Sequence, residues 1–208
     1  MTPARRVTPE PPLLVITDRT QARHSLEDIA EAIFAAGCRW LSLREKDLPS
    51  AERLVLLRRL AATGARWGAA VGVHGDLAAA RAVDGAVLHL GAGGDVAAAR
   101  RALGAGRLIG LSTHGGDDLS AVAADYVTMS PIRLTASKPG YGPALGFDGL
   151  ARATAGATVP VIALGGIGAA AVAPCRAAGA AGVAVMGEVM RAADPGETVA
   201  AMLAALAT

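Results

Sequence analysis

Aromatic side chains are scarce: phenylalanine, tyrosine and tryptophan together make up 3% of the 208 residues. Stacked rings cannot fill a core here. Ala, Val, Leu and Ile must do so instead, which suits helices packed closely on strands. Excess charge is lacking too, and a net charge of +2 is too small to mark a nucleic-acid or membrane surface. The two cysteines, Cys38 and Cys175, lie far apart and match neither zinc nor disulfide spacing, which leaves buried reduced thiols. No apolar run is long enough to span a bilayer, and residues 1–12 are polar and proline-rich, without the apolar segment of a signal peptide. Together these absences predict a soluble, cytoplasmic protein with no nucleic-acid or membrane partner. They also predict a disordered tail over 1–12 ahead of one domain over 13–208.

What is present is an alternation of two textures. Short apolar, β-branched runs at 13–17, 40–43, 69–73, 86–90, 107–111, 126–132, 160–164 and 182–186 alternate with longer Ala/Leu/Arg segments of helical period. Eight strand-then-helix units with near-continuous apolar strands predict an α/β fold, a parallel sheet closed as a single (β/α)8 TIM barrel. A doubly wound open sheet is the other arrangement such units allow, but no glycine-rich dinucleotide fingerprint follows the first strand. In a barrel the site forms on the loops that leave the C-terminal ends of the strands. Polar residues such as Asp18, Arg44, Lys46, His74, Asp76, Ser112 and Lys138 fall there, whereas the loops entering the strands are mostly Gly, Ala and Arg. This asymmetry favours an enzyme or a small-molecule binder over a structural protein.

Three groups of residues suggest the chemistry. The stretch 126–141 runs from a strand into a loop carrying Arg133, Thr135, Ser137 and Lys138, with Gly140 and Gly142 beside it. Cations, hydroxyls and flexible backbone in one loop suit a phosphate or diphosphate; the alternative is a long, well-solvated surface loop. Arg44 and Lys46, two apart at a strand end, leave on the same side, with Glu45 pointing elsewhere. They form an anion site or, alternatively, salt bridges to the next helix, and Lys138 could reach the same anion. Gly165–Gly166 and Met186–Gly187 follow the seventh and eighth strands, where barrels commonly bind phosphate through backbone N–H groups; a tight turn without ligand is the alternative. Two such anion sites suit two phosphorylated substrates, or one substrate with two anionic groups. His114 is the candidate acid or base.

These motifs, LSLREK (41–46), VLHLG (87–91), GLSTH (110–114), ADYVTMSPIRLTASK (124–138), PVIALGGI (160–167) and AGAAGVAVMG (178–187), resemble the thiamine phosphate synthase and thiazole tautomerase superfamily. The resemblance implies a transferase that joins hydroxymethylpyrimidine diphosphate to thiazole phosphate and releases diphosphate, by departure of diphosphate before the thiazole nitrogen attacks. It assigns Arg44, Lys46 and Lys138 to the diphosphate and Ser112 to the pyrimidine and leaving group. Thr135, Ala136, Ser137, Gly165, Gly166, Met186 and Gly187 go to the thiazole phosphate. Ser42 stands where the family has a pyrimidine-binding glutamine. The family's Mg²⁺ aspartate positions are Gly75 and Gly94, with Asp76 and Asp95 each one residue further on as the remaining candidate ligands. Glycine at the first metal position resembles instead the metal-independent tautomerase branch, in which His114 matches the acid/base histidine. A non-catalytic binder of a thiamine precursor is a third reading. Ala-rich faces such as 169–173 could pack a homo-oligomer, and an intramolecular interface explains them equally well.

Overall fold

The strands form where the apolar runs predict them, in a computed structural model that describes residues 8–134 and 143–208. They are Leu13–Ile16 (β1), Trp40–Leu43 (β2), Ala70–His74 (β3), Val87–Leu90 (β4), Ile109–Thr113 (β5), Tyr126–Met129 (β6), Val161–Leu164 (β7) and Gly182–Val185 (β8). All pair in parallel in chain order, and β8 closes on β1 through Leu13–Val183 and Val15–Val185. The result is the expected (β/α)8 barrel. The helices are Leu26–Ala35 (α1), Ser50–Arg66 (α2), Leu77–Ala82 (α3), Val96–Leu103 (α4), Gly146–Ala155 (α5), Ala169–Ala177 (α6), Gly187–Met190 (α7) and Pro195–Leu206 (α8). As expected, α1 starts after Ser25, whose hydroxyl accepts the Asp28 N–H.

Two expectations change. Residues 114–125, between β5 and β6, hold no helix. Gly115 and Gly116 open the segment, and the Asp117 and Asp118 carboxylates accept the backbone N–H groups of His114 and Ser120. Such local bonds offer the backbone an alternative to the helix ladder. Residues 8–12, expected within the disordered stretch 1–12, are also packed on the barrel. Thr8 is buried, and the Pro12 carbonyl accepts the Val183 N–H at 3.0 Å, tying the segment to β8. Residues 1–7 lie outside the described residues.

Register sorts the strand side chains into two sets. Outward residues such as Leu13, Val15, Leu41, Leu43, Val71 and Val73 meet the helices in one aliphatic layer. Inward residues Leu14, Ile16, Trp40, Val87, Tyr126, Ile162 and Ala184 fill the barrel. Trp40 and Tyr126 meet edge to face at 4.8 Å between centroids. Gly110 faces them, and a Cβ there would lie 2.2 Å from Tyr126 Cζ and 2.6 Å from His89 Nδ1. Within α6, Ala171, Val172 and Cys175 are buried inside this chain, so part of the Ala-rich face is used intramolecularly.

Both cysteines are reduced and buried. Burial pushes each thiol up to about 11, and the thiolate is the reactive form. Neither cysteine should be alkylated by iodoacetamide at pH 8 in the folded protein, and both should be after denaturation, as read by intact mass.

Candidate active site

The carboxyl ends of the strands open into one cavity of about 670 Å³. Arg44 and Lys46 line it from the end of β2. Glu45, between them, is buried and turned away: it accepts the Thr17 hydroxyl at 2.7 Å and the Arg19 N–H at 3.1 Å. Thr17 Oγ1 in turn accepts the Arg44 N–H at 2.9 Å. The carboxylate thus pins the β1 and β2 loops together and leaves the two cations facing the mouth. Among the described residues neither cation forms an ion pair, so the salt-bridge alternative does not describe them.

Gly165, Gly166, Met186 and Gly187 line the same cavity from the ends of β7 and β8. Gly165 (φ +100°) and Gly166 (φ +64°) occupy the left-handed region that other residues avoid. A Cβ at Gly166 would lie 2.8 Å from the Leu134 carbonyl oxygen, so this turn packs directly on the β6 loop. Ser112 and His114 also reach the cavity. His114 Nδ1 lies 3.0 Å from the Ser130 carbonyl oxygen; a carbonyl only accepts, so Nδ1 donates. Thr135, Ala136, Ser137 and Lys138 lie outside the described residues.

Ser42 is assigned to the substrate by the resemblance, but it does not reach the cavity wall. It is 1% exposed, inside the barrel, and its hydroxyl has no partner among the described residues. His74, one layer above on β3, does line the cavity, and its Nε2 is likewise unpartnered. The His74 ring packs on His89 at 4.4 Å between centroids. His89 bonds the Tyr126 hydroxyl at 3.1 Å through Nδ1 and the Ser112 hydroxyl at 3.0 Å through Nε2. Burial pushes His89 down to about 3 and His74 well below the usual histidine range, the latter aided by His89, Arg44 and Lys46. Both rings are neutral polar walls at working pH rather than proton carriers.

Asp76 and Asp95 do not fit a Mg²⁺ site. Asp76 caps α3, its Oδ1 accepting the Ala79 N–H at 2.9 Å, while Oδ2 accepts Arg53 Nε at 2.9 Å and Nη2 at 2.7 Å. Burial opposes the charge, but the Ala79 and Arg53 bonds outweigh it and hold the carboxyl below its usual range. A guanidinium is already seated on that carboxylate. Asp95 is exposed and caps α4 through the Ala98 N–H at 2.8 Å. Among the described residues no three His, Cys, Asp or Glu side chains gather as ligands. Asp95→Ala should therefore cost about 1 kcal/mol, the loss of a helix cap, read as a lower melting temperature. Any Mg²⁺ response of the activity should be the same before and after the substitution.

Two cavity-lining cations were not expected, Arg53 and Arg191. Arg53 spends all its donors inside the protein: besides Asp76 it bonds the carbonyls of Glu45 and Leu48 and the Ser50 hydroxyl. It clamps the β2 loop to the β3 turn. Arg191 follows α7 and bonds Gln21 of the β1 loop.

A closed parallel barrel with a cationic, glycine-rich mouth at the carboxyl ends of its strands defines a (β/α)8-barrel enzyme. The chain belongs to the thiamine monophosphate synthase family, which it matches over residues 13–189. It is 44% identical over 201 residues, 93% of each chain, to a Geobacter sulfurreducens protein provisionally named thiamine-phosphate synthase. The thiamine-phosphate synthase of Salinispora tropica is 38% identical over 200 residues, 93% of this chain and 96% of that one. Among solved structures the chain resembles the thiamine phosphate pyrophosphorylase from Pyrococcus furiosus, with a TM-score of 0.82 and 25% identity over 94% of this chain and 95% of that one. None of the three is named a tautomerase.

Proposed function

We propose that the protein is a thiamine-phosphate synthase, joining hydroxymethylpyrimidine diphosphate to thiazole phosphate. One observation carries the reading beyond family membership: a single cavity is lined both by cations, Arg44 and Lys46 after β2, and by glycine turns, Gly165–Gly166 after β7 and Gly187 after β8. Two anionic groups held at these two places in one cavity bring the pyrimidine and the thiazole together. The C–O bond to diphosphate breaks with its electron pair going to the departing oxygen, where Arg44 and Lys46 meet the new charge. The thiazole nitrogen lone pair then forms the C–N bond, and its ring takes the positive charge. No proton moves in this sequence, so neutral His74 and His89 suit it. Ser112, braced by His89, lies where it can orient the pyrimidine. Lys138, which the resemblance assigns to the diphosphate, is the third cation of this reading.

His114 would serve proton transfer in the tautomerase reading, but the paired diphosphate cations and the names of the relatives support the synthase. Among the described residues no helix is long and apolar enough to cross a membrane. That and the small net charge support action on free small molecules in the cytoplasm. The test is incubation with both substrates, with Mg²⁺ in one arm and chelator in the other, and detection of thiamine phosphate. Product in either arm supports the synthase; none in both arms overturns it.

A further inference from the structure

Among the described residues that line the cavity, Arg191 is the cation packed against Gly187. The backbone amides at Gly165, Gly166 and Gly187 are neutral, and a phosphate monoester entering a part-enclosed cavity brings up to two negative charges that must be met there. Arg44 and Lys46 follow β2 and belong to the diphosphate in the synthase reading. Arg53 is committed to Asp76 and three further protein acceptors. Arg191 lines the cavity beside Gly187, and its guanidinium lies directly against that glycine: a Cβ at Gly187 would fall 2.3 Å from Nη1 and 2.8 Å from Cζ. Glycine at 187 therefore does more than bare an amide, since it makes room for the arginine to fold back over α7 into the mouth. Gln21 holds Nη1 through its side-chain oxygen, and Asp18 holds Gln21 Nε2 at 2.5 Å. The β1 loop thus aims the guanidinium. Glu188 lines the same corner and stands against the α6 start, where a Cβ on Gly168 would be 3.6 Å from its Oε1.

We propose that Arg191 binds the phosphate of the thiazole substrate, with Glu188 as an opposing charge that weakens that binding. The proposal rests on the synthase reading, and wild-type turnover with both substrates tests that reading separately. Steady-state kinetics of Arg191→Gln should show KM for thiazole phosphate raised about tenfold or more, the loss of one charge-assisted phosphate contact. KM for the pyrimidine diphosphate should not rise with it. Arg191→Lys should recover part of the loss, and Glu188→Gln should lower KM for thiazole phosphate. The unphosphorylated thiazole alcohol should not distinguish wild type from Arg191→Gln. Gln21→Ala breaks the brace without removing the charge and should cost less than Arg191→Gln. Equal effects of those two substitutions, parallel rises in both KM values, or an unchanged KM for thiazole phosphate would each overturn the assignment and leave Arg191 a brace for α7.

Discussion

Arg44→Ala should lower kcat/KM for thiamine phosphate formation by about 10²–10³-fold, the usual cost of deleting one preorganised group that meets charge developing in a transition state. The size follows from how Arg44 is held. Its backbone N–H is fixed by Thr17 Oγ1 at 2.9 Å, and Nη1 lies 4.0 Å from Met186 Sδ. Thr17 is itself held by buried Glu45, so the guanidinium need not be reorganised as diphosphate departs. Arg44→Lys should recover only part of the loss, because a point charge does not reproduce the planar fork. The substitution removes no buried partner, so the melting temperature should stay within a few degrees. Steady-state kinetics with each substrate varied checks this, and a loss under tenfold would move the main electrostatic role elsewhere.

The second large effect is on stability. The unfolded chain protonates its histidines near pH 6.5, whereas folded His89 resists until about pH 3 and folded His74 is likewise held well below the usual range. Between these values the unfolded state binds more protons than the folded state. Stability is therefore fully present above pH 6.5 and is lost as pH falls toward 3. Each ring contributes a slope of about 1.4 kcal/mol per pH unit once its unfolded form is protonated. Urea unfolding between pH 6 and pH 4.5 should thus show uptake of close to two protons. His74→Gln should remove about one of them. A flat profile, or an unchanged slope in His74→Gln, would mean that these rings take up protons in the folded barrel.

The barrel was legible because its strands are apolar on both faces, bounded by glycine and charge. Arg44 and Lys46 were legible because alternation along a strand sends residues two apart to the same side. Arg53 and Arg191 were not. They come from the start of α2 and the end of α7, and their side chains curl over strand ends that are distant in the sequence. Asp76 and Asp95 show a different failure. A carboxylate just after a strand and one just before a helix occupy the same place in a βα unit, so the residue type fits a metal ligand and an N-cap equally. The signal that could have separated them was available: both aspartates directly precede helical runs of small apolar residues. For Asp76, the deciding partner was the guanidinium of a residue 23 positions away. The strand at 107–111 slid to 109–113, which moved Ser112 from the loop into the barrel wall beside His89.

The scarcity of rings has an optical consequence. Of the two tryptophans, Trp40 is fully buried inside the barrel, edge-on to Tyr126. Trp67 is half-buried on the outside, with Glu31 accepting its indole N–H at 3.2 Å. Emission from the folded protein should hold a short-wavelength component from the interior and a longer-wavelength one from the periphery. Trp67→Phe would leave a single tryptophan, inside the barrel that opens into the substrate cavity. Its emission would then report, without any added label, on what enters and leaves from above.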